Sequence, residues 1–397
     1  MSDINLKMVG RDESIFAADI LEYEAFMSLE ISNSRFLVIG GAGTIGQAVC
    51  KEIFMREPKS LHVVDISENN LVELTRDIRS SQGYIDGDFR TFALDCGSEE
   101  FRRMADQFGP YDYILNLSAL KHVRSEEDPF TLMRMIQVNI LNTIATVELA
   151  VSMGAKKYFC VSTDKAANPV NLMGASKRIM ELFLSSYSDM MNISTARFAN
   201  VVFSDGSLLH GFNQRLQKKQ PIVAPSDIKR YFVTPKEAGE LCLLSCMLGG
   251  QGDIFFPKLT KTMDLKSFSD LAKIYLDING YQVHECDSEI DARQNTDEII
   301  NLGRWPCLFS VSDTTGEKPV EEFFTNSENP DFDSYAGVGK VKIRSGKNDH
   351  NLAKFLDELS EIKKSNPWNK ETIVKLFKKN LPELNHIELG KSLNEKM

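Results

Sequence analysis

Between residues 35 and 203, short unbroken apolar runs alternate with longer stretches whose apolar residues return every three or four positions. The runs opening "RFLVIGGAGTIGQAVCKEIF" (35–54) and within "SLHVVDIS" (60–67), "FRTFALDC" (89–96), "YDYILNLSA" (111–119), "KKYFCVS" (156–162) and "ISTARFANVVF" (193–203) read as buried strands. Helical patterns separate them, among them the stretch at roughly 130–153 and "LMGASKRIMELFLSSYSDM" (172–190). Strands alternating with helices predict an α/β fold, a Rossmann-type doubly wound parallel sheet.

Past about residue 203 the rhythm loosens into loops and shorter elements. This predicts a first domain over 35–202 and a smaller α/β substrate-binding domain over 203–335. The helical pattern of "TPKEAGELCLLSCMLGG" (234–250) returns 234–256 to the first domain. Residues 1–34 carry a helical pattern in "IFAADILEYEAFMSLEI" and predict an arm docked on the body. From about 336 to 397 the chain is charged, and its apolar spacing predicts a helical extension packed on the body or on a partner subunit.

Composition narrows the function classes. A formal net charge of −10 over 397 residues disfavours a bulk nucleic-acid binder, though local lysines and arginines still suit a small anionic substrate. The six histidines show no paired metal-ligand spacing, so no metal site is expected. The seven cysteines are scattered, and Cys242 and Cys246 read as a buried pair on one helix face. No apolar run approaches membrane-spanning length, so a cytoplasmic chain without a membrane span is expected.

Gly40, Gly43 and Gly46, with Thr44 and Ile45, lie at the turn between the first strand and its helix. Without a Cβ the backbone can turn tightly and approach a pyrophosphate, whose charge the helix N-terminus stabilises. Asp65 ends the second strand, where a carboxylate accepts from an adenosine ribose and repels a 2′-phosphate, so NAD is favoured over NADP. The alternative for Asp65 is a helix N-cap, a role open to Ser67 as well. Asp95, ending the third strand, stands where adenine would lie.

"STDKAANPVNLMGASK" (162–177) brings chemistry to the same sheet edge. Thr163, Asp164 and Lys165 end the fifth strand, while Met173 and Lys177 share a face of the next helix at i, i+4 spacing. The alternative is a turn cap at Asp164 with solvated lysines. Lys121 and His122 follow the fourth strand into the same cleft.

These segments, with "GGAGTIG" (40–46), "NLSALKHV" (116–123), "ARFANVVFSDGS" (196–207), "KRYFVT" (229–234), "GDIFFPKL" (252–259) and "TGEKPVEEF" (315–323), resemble the extended short-chain dehydrogenase/reductase superfamily. More closely, they are similar to the nucleotide-sugar 4,6-dehydratases acting on UDP-N-acetylglucosamine. Those enzymes' soluble C5-inverting members keep a tyrosine where this chain has Met173, whereas the membrane-anchored members carry methionine. The chain thus resembles the C5-retaining group, with a soluble arm in place of the membrane-spanning region. It departs from the family at Thr314-Thr315-Gly316-Glu317-Lys318, where Arg-Pro-Gly-Glu-Lys is usual, and at Val202-Phe203, where Leu-Gly is common.

The resemblance implies a redox-neutral dehydration: a C4 hydride passes to bound NAD, the C5 proton and the C6 hydroxyl leave, and the hydride returns to C6. Ionised Asp164 takes the O4 proton, with the Thr163 hydroxyl as relay, and then protonates the departing hydroxyl. Lys165 removes the C5 proton, and Lys177 holds the nicotinamide ribose. Lys121 and His122 are implied sugar or phosphate contacts, and Asn200, Arg230, Lys258 and Lys318 nucleotide-diphosphate contacts. Asn139 is expected to be architectural. A homo-oligomer is expected as well, with the terminal arms available for association. The rivals are a nucleotide-sugar 4-epimerase, a non-catalytic NAD-sensing or scaffold protein, and a dehydratase acting on GDP-GlcNAc instead.

Overall fold

The computed structural model describes residues 4–258, 265–312, 321–343 and 349–386. Its strands, numbered along the chain, are β1 (Arg35–Ile39), β2 (Ser60–Asp65), β3 (Asp88–Ala93), β4 (Tyr113–Asn116), β5 (Lys157–Thr163), β6 (Asn192–Phe198), β7 (Asn200–Val201) and β8 (Ile222–Pro225). They continue with β9 (Lys229–Arg230), β10 (Phe232–Val233), β11 (Asp253–Pro257), β12 (Lys266–Ser267), β13 (Gln282–Glu285), β14 (Arg304–Ser310) and β15 (Val338–Lys342). Eight of them form one sheet in the order β15-β11-β6-β5-β4-β1-β2-β3. All pairs are parallel except β11–β15.

The order reverses between β1 and β4, which opens a crevice at the C-terminal ends of these two strands. β1 shows why the sheet is covered on both sides: Phe36 and Val38 pack into one cluster, Leu37 and Ile39 into another. Helices Thr44–Phe54 and Pro235–Leu248 close the first face. Gly239 lets them approach, since a Cβ there would stand 2.8 Å from the Ala48 methyl. On the far side, residues 142–152 and 172–186 are helical.

A smaller parallel sheet, β13-β14-β8, packs with helices Leu208–Gln217 and Phe268–Ile278 around Trp305 and Phe212. Two further short pairs are β7–β10, parallel, and β9–β12, antiparallel.

Two expectations change. Residues 338–342 are not part of a helical extension but a strand of the main sheet, whose edge they close antiparallel to β11. Phe256 lies so close to Gly339 that a Cβ there would stand 2.6 Å from its ring. The N-terminal arm is helical and packs on the body: Arg11 pairs with buried Glu237 at 2.6 Å, and Asp19 accepts from the N–H groups of Ala336 and Gly337. Finally, one continuous helix, Pro129–Ser152, is long and apolar enough by length and composition to cross a membrane. In this fold much of it is core, and Asn139, Asn142, Thr143 and Thr146 on it are buried and hydrogen-bonded.

Helices Asp349–Lys364 and Lys370–Asn380 add an outer layer, in which Phe355, Ile373 and Phe377 cluster with Met133, Met173 and Phe183.

Candidate active site

The glycine turn leaves β1 with Gly40 in the left-handed region at φ +73°. A Cβ there would stand 2.6 Å from the Ser118 nitrogen, so only glycine lets the loops after β1 and β4 close together. A Cβ on Gly46 would collide with the Gly40 carbonyl oxygen. At Gly43 the nearest atom would be 3.7 Å away, and the residue borders open cleft. Gly46→Ala is therefore expected to lower the Tm of the ligand-free protein strongly and Gly43→Ala to leave it nearly unchanged, which thermal unfolding of the two variants checks.

Two lobes of the cleft meet at this turn. The first, about 230 Å³, is lined by Asp65, Asp95, Arg134 and Asn142 among others. Asp65 accepts from the Ala42 N–H at 3.0 Å and from the Ser67 N–H at 2.9 Å, while Ser67 itself caps the following helix. Each oxygen of Asp65 retains a lone pair for a ribose hydroxyl. Burial would raise the Asp95 carboxyl, but the Gly97 N–H and Arg134, 2.8 Å away, hold it below the ordinary range. Arg134 and Asn142 escaped the sequence reading, because which face of helix 129–152 meets the cleft depends on a π-turn at 137–141. Asn139, in that turn, holds both backbone groups of Leu120 and is architectural.

The second lobe, about 320 Å³, collects Thr44, Lys121, Thr163, Asp164, Lys165, Met173, Lys177 and Asn200. Thr163 donates to Asp164 Oδ1 at 2.8 Å, and Lys165 Nζ lies 3.1 Å from the same oxygen. Asp164 is nearly buried, whereas the Lys165 side chain is about one-third exposed. Lys177 donates to the Val161 carbonyl at 3.0 Å, and burial lowers its affinity for a proton. Met173 is buried, with its face shared between the cleft and the outer helical layer.

The helix Thr44–Phe54 points its N-terminus into this lobe with no side-chain cap. Free N–H groups and the helix dipole there favour a phosphate. The loop after β7 closes over it, the Asp205 N–H donating to Thr44 Oγ1 at 3.0 Å. Burial lowers Lys121, against the opposing charge of Asp205. Phe203, where the resembling family has glycine, is held at φ +53°, a strained conformation for an aromatic residue, and packs on Tyr275.

The remaining expected contacts are placed differently. His122 faces Gly206, where a Cβ would stand 2.8 Å from its Nε2, and burial lowers its pKa. Buried Arg230 lies on β9 and acts electrostatically on Glu321, a residue the sequence reading did not single out. Lys258 bonds the Tyr335 carbonyl at the edge of the main sheet and lines neither lobe. Lys318 lies outside the described residues.

Paired lobes either side of a glycine turn, an uncapped helix N-terminus and a carboxylate on β2 fit a dinucleotide, and the Thr-Asp-Lys cluster beside them fits acid–base chemistry. Residues 36–297 match the family described as polysaccharide biosynthesis protein, and the chain belongs to that family. It is 27% identical to the capsular polysaccharide biosynthesis protein CapD of Staphylococcus aureus, over 94% of this chain and 57% of that protein. It is 26% identical to a UDP-N-acetylglucosamine 4,6-dehydratase (inverting) of Campylobacter jejuni, over 57% of this chain and 68% of the other. The UDP-glucose 4-epimerase of Rickettsia massiliae is 28% identical, over 57% of this chain and 66% of the epimerase. The chain thus spans little more than half the length of the capsular relative. Among solved structures, Pen from Bacillus thuringiensis superposes with a TM-score of 0.62 at 22% identity, covering 80% of this chain and 89% of that one. This likeness is one of fold.

Proposed function

We propose that the chain is a nucleotide-sugar 4,6-dehydratase that converts UDP-N-acetylglucosamine to its 4-keto-6-deoxy product, with C5 retained, and works in the cytoplasm. The observation that carries this reading is the Thr163-Asp164-Lys165 cluster standing in the cleft where Met173 supplies no proton-transfer group. NAD would be held by the glycine turn, Asp65, Asp95 and Lys177, and when bound it would supply a hydride acceptor and donor, so that the reaction is redox-neutral overall.

The chain's own groups handle the protons. Asp164 accepts the O4 proton, directly or through the Thr163 hydroxyl, and delivers it to the departing C6 hydroxyl. Lys165, as the neutral amine, takes the C5 proton and returns a proton to the same carbon before the product leaves, so neither group has a net proton change over the turnover. Lys177, whose amine bonds the Val161 carbonyl and the Met180 sulfur, would hold the nicotinamide ribose. The uncapped helix N-terminus, Lys121 and Asn200 bind the anionic part of the substrate and cofactor. Gly43→Ala is expected to give a folded protein that loses NAD on gel filtration, because the new methyl projects into the space of the pyrophosphate.

Similarity alone supports a 4-epimerase equally. Met173 and the buried Asp164 favour dehydration, since epimerisation requires no acid at C6. Mass spectrometry of the nucleotide sugar after incubation with purified protein tests the choice. A product one water lighter supports the proposal, and a product of unchanged mass with an inverted centre contradicts it. Parallel incubations with UDP- and GDP-GlcNAc decide the nucleotide.

A further inference from the structure

Asp95 and Arg134 both line the first lobe and reach it from different elements, the loop after β3 and the start of helix Pro129–Ser152. The Arg134 guanidinium donates to Asp95 Oδ2 at 2.8 Å. The other oxygen, Oδ1, accepts from the Gly97 N–H at 2.9 Å and lies 3.4 Å from the Asn142 amide nitrogen. Gly97 permits that approach, since a Cβ there would stand 2.7 Å from Asn142 Oδ1. Gln137 donates to the same Oδ1 of Asn142 at 2.8 Å, across the π-turn that sets which face of the helix meets the cleft. Asp95 is thus fixed from three sides, and it latches Arg134 in place. The pair's side chains are 44% and 35% exposed, so the bridge stands at the solvent mouth of the lobe. Ile39, Val64, Leu94 and Val138 give the lobe apolar walls, and among the described residues Arg134 is the only cation lining it.

We propose that the Asp95–Arg134 pair is a clasp over the adenine end of the dinucleotide, with Arg134 a cofactor-binding residue whose latched guanidinium covers the base. The proposal rests on reading the cleft as an NAD site. A planar guanidinium lies readily on an aromatic face while its edge bonds a carboxylate, so one side chain can close the lobe and hold the latch together. The apolar walls take the base on its inner side, and Arg134 takes the side that would otherwise face water. A part-exposed ion pair contributes little to folding, so the clasp can open for loading at small cost. Once closed, it retains a cofactor that is oxidised and reduced within one turnover and has no need to leave.

Release of radiolabelled NAD from loaded protein into an excess of unlabelled NAD reads the clasp without reference to turnover. Arg134→Met is expected to release NAD about tenfold faster than wild type, the scale of a cation–aromatic contact and a part-exposed ion pair together. The Tm of the ligand-free variant is expected to match that of wild type, because the side chain is 44% exposed. Asp95→Asn is expected to speed release as well, and the double variant to be no faster than the faster single one. Raising salt from about 0.05 M to about 0.5 M screens a pair at the mouth, so wild type is expected to approach the rate of Arg134→Met, whose own response to salt is smaller. Equal release from wild type and Arg134→Met overturns the clasp and leaves the base to Asp95 alone. Single effects that multiply in the double variant overturn it too, since the two residues then act independently. A wild type that neither carries nor takes up NAD overturns the cofactor reading, and the clasp with it.

Discussion

Asp164→Asn is expected to abolish turnover while leaving the fold and the bound NAD intact. Asparagine keeps the shape of the side chain, and its carbonyl oxygen still accepts from Thr163, whose hydroxyl lies 2.8 Å from Asp164 Oδ1 in the native site. What it loses is the capacity to take and return a proton. One positioned acid–base group contributes roughly 10²–10⁴-fold, and Asp164 serves both the O4 and the C6 proton, so the loss is expected at or beyond the upper figure. The check pairs kcat with the NAD content of the purified variant, released by denaturation. Full activity in the variant would return the chemistry to another residue. Loss of both activity and NAD would make Asp164 a structural group.

The second large effect is on stability. Arg197, on β6, is fully buried, bonded to Glu181 at 2.7 and 2.9 Å and to Glu328, while Ser162 donates to Glu181 at 2.7 Å. Arg197→Met takes the fully buried cation from two buried carboxylates and leaves them Arg178, at 3.1 and 3.2 Å, and breaking a buried pair this way costs about 3–5 kcal/mol. Burial alone would raise Glu181, but Arg197, Arg178 and Ser162 hold it below its ordinary 4.5. A depressed carboxyl stabilises the fold above its unfolded value and loses that contribution as pH falls through the folded one. The deficit of Arg197→Met is therefore expected to be fully present above about pH 4.5 and to shrink below it, as denaturant titrations at several pH values would record. A deficit independent of pH would mean that lost packing, not stranded charge, is responsible.

How much of this was legible in the sequence depends on how locally each feature is specified. The glycine turn, Asp65 and the Thr163-Asp164-Lys165 run each sit at a strand end, so reading the strands places them at the crevice without further information. Glu321, which accepts from the Asn200 amide, belongs to no such pattern. It arrives from a distant segment because Arg197, buried inside the main sheet, bonds the Phe323 carbonyl, and no local periodicity reports that contact. β15 went unread for a different reason: "VGKVK" is short, bears two lysines and lies in charged surroundings, yet β11 needed a partner at the sheet edge. In helix Pro129–Ser152 the polar residues broke the apolar run and hid its length. Asn139 and Asn142 there tie the helix to the loops after β4 and β3.

The central claim is that Asp164 and Lys165 carry a dehydration in a site without the tyrosine. Proton NMR of purified protein with UDP-GlcNAc in D₂O, with no nicotinamide added, tests it most directly. The account predicts a new C6 methyl signal from a 4-keto sugar, with deuterium at C5 and the configuration at that carbon retained. A product that keeps its hydroxymethyl group and differs from the substrate only at C4 would contradict it.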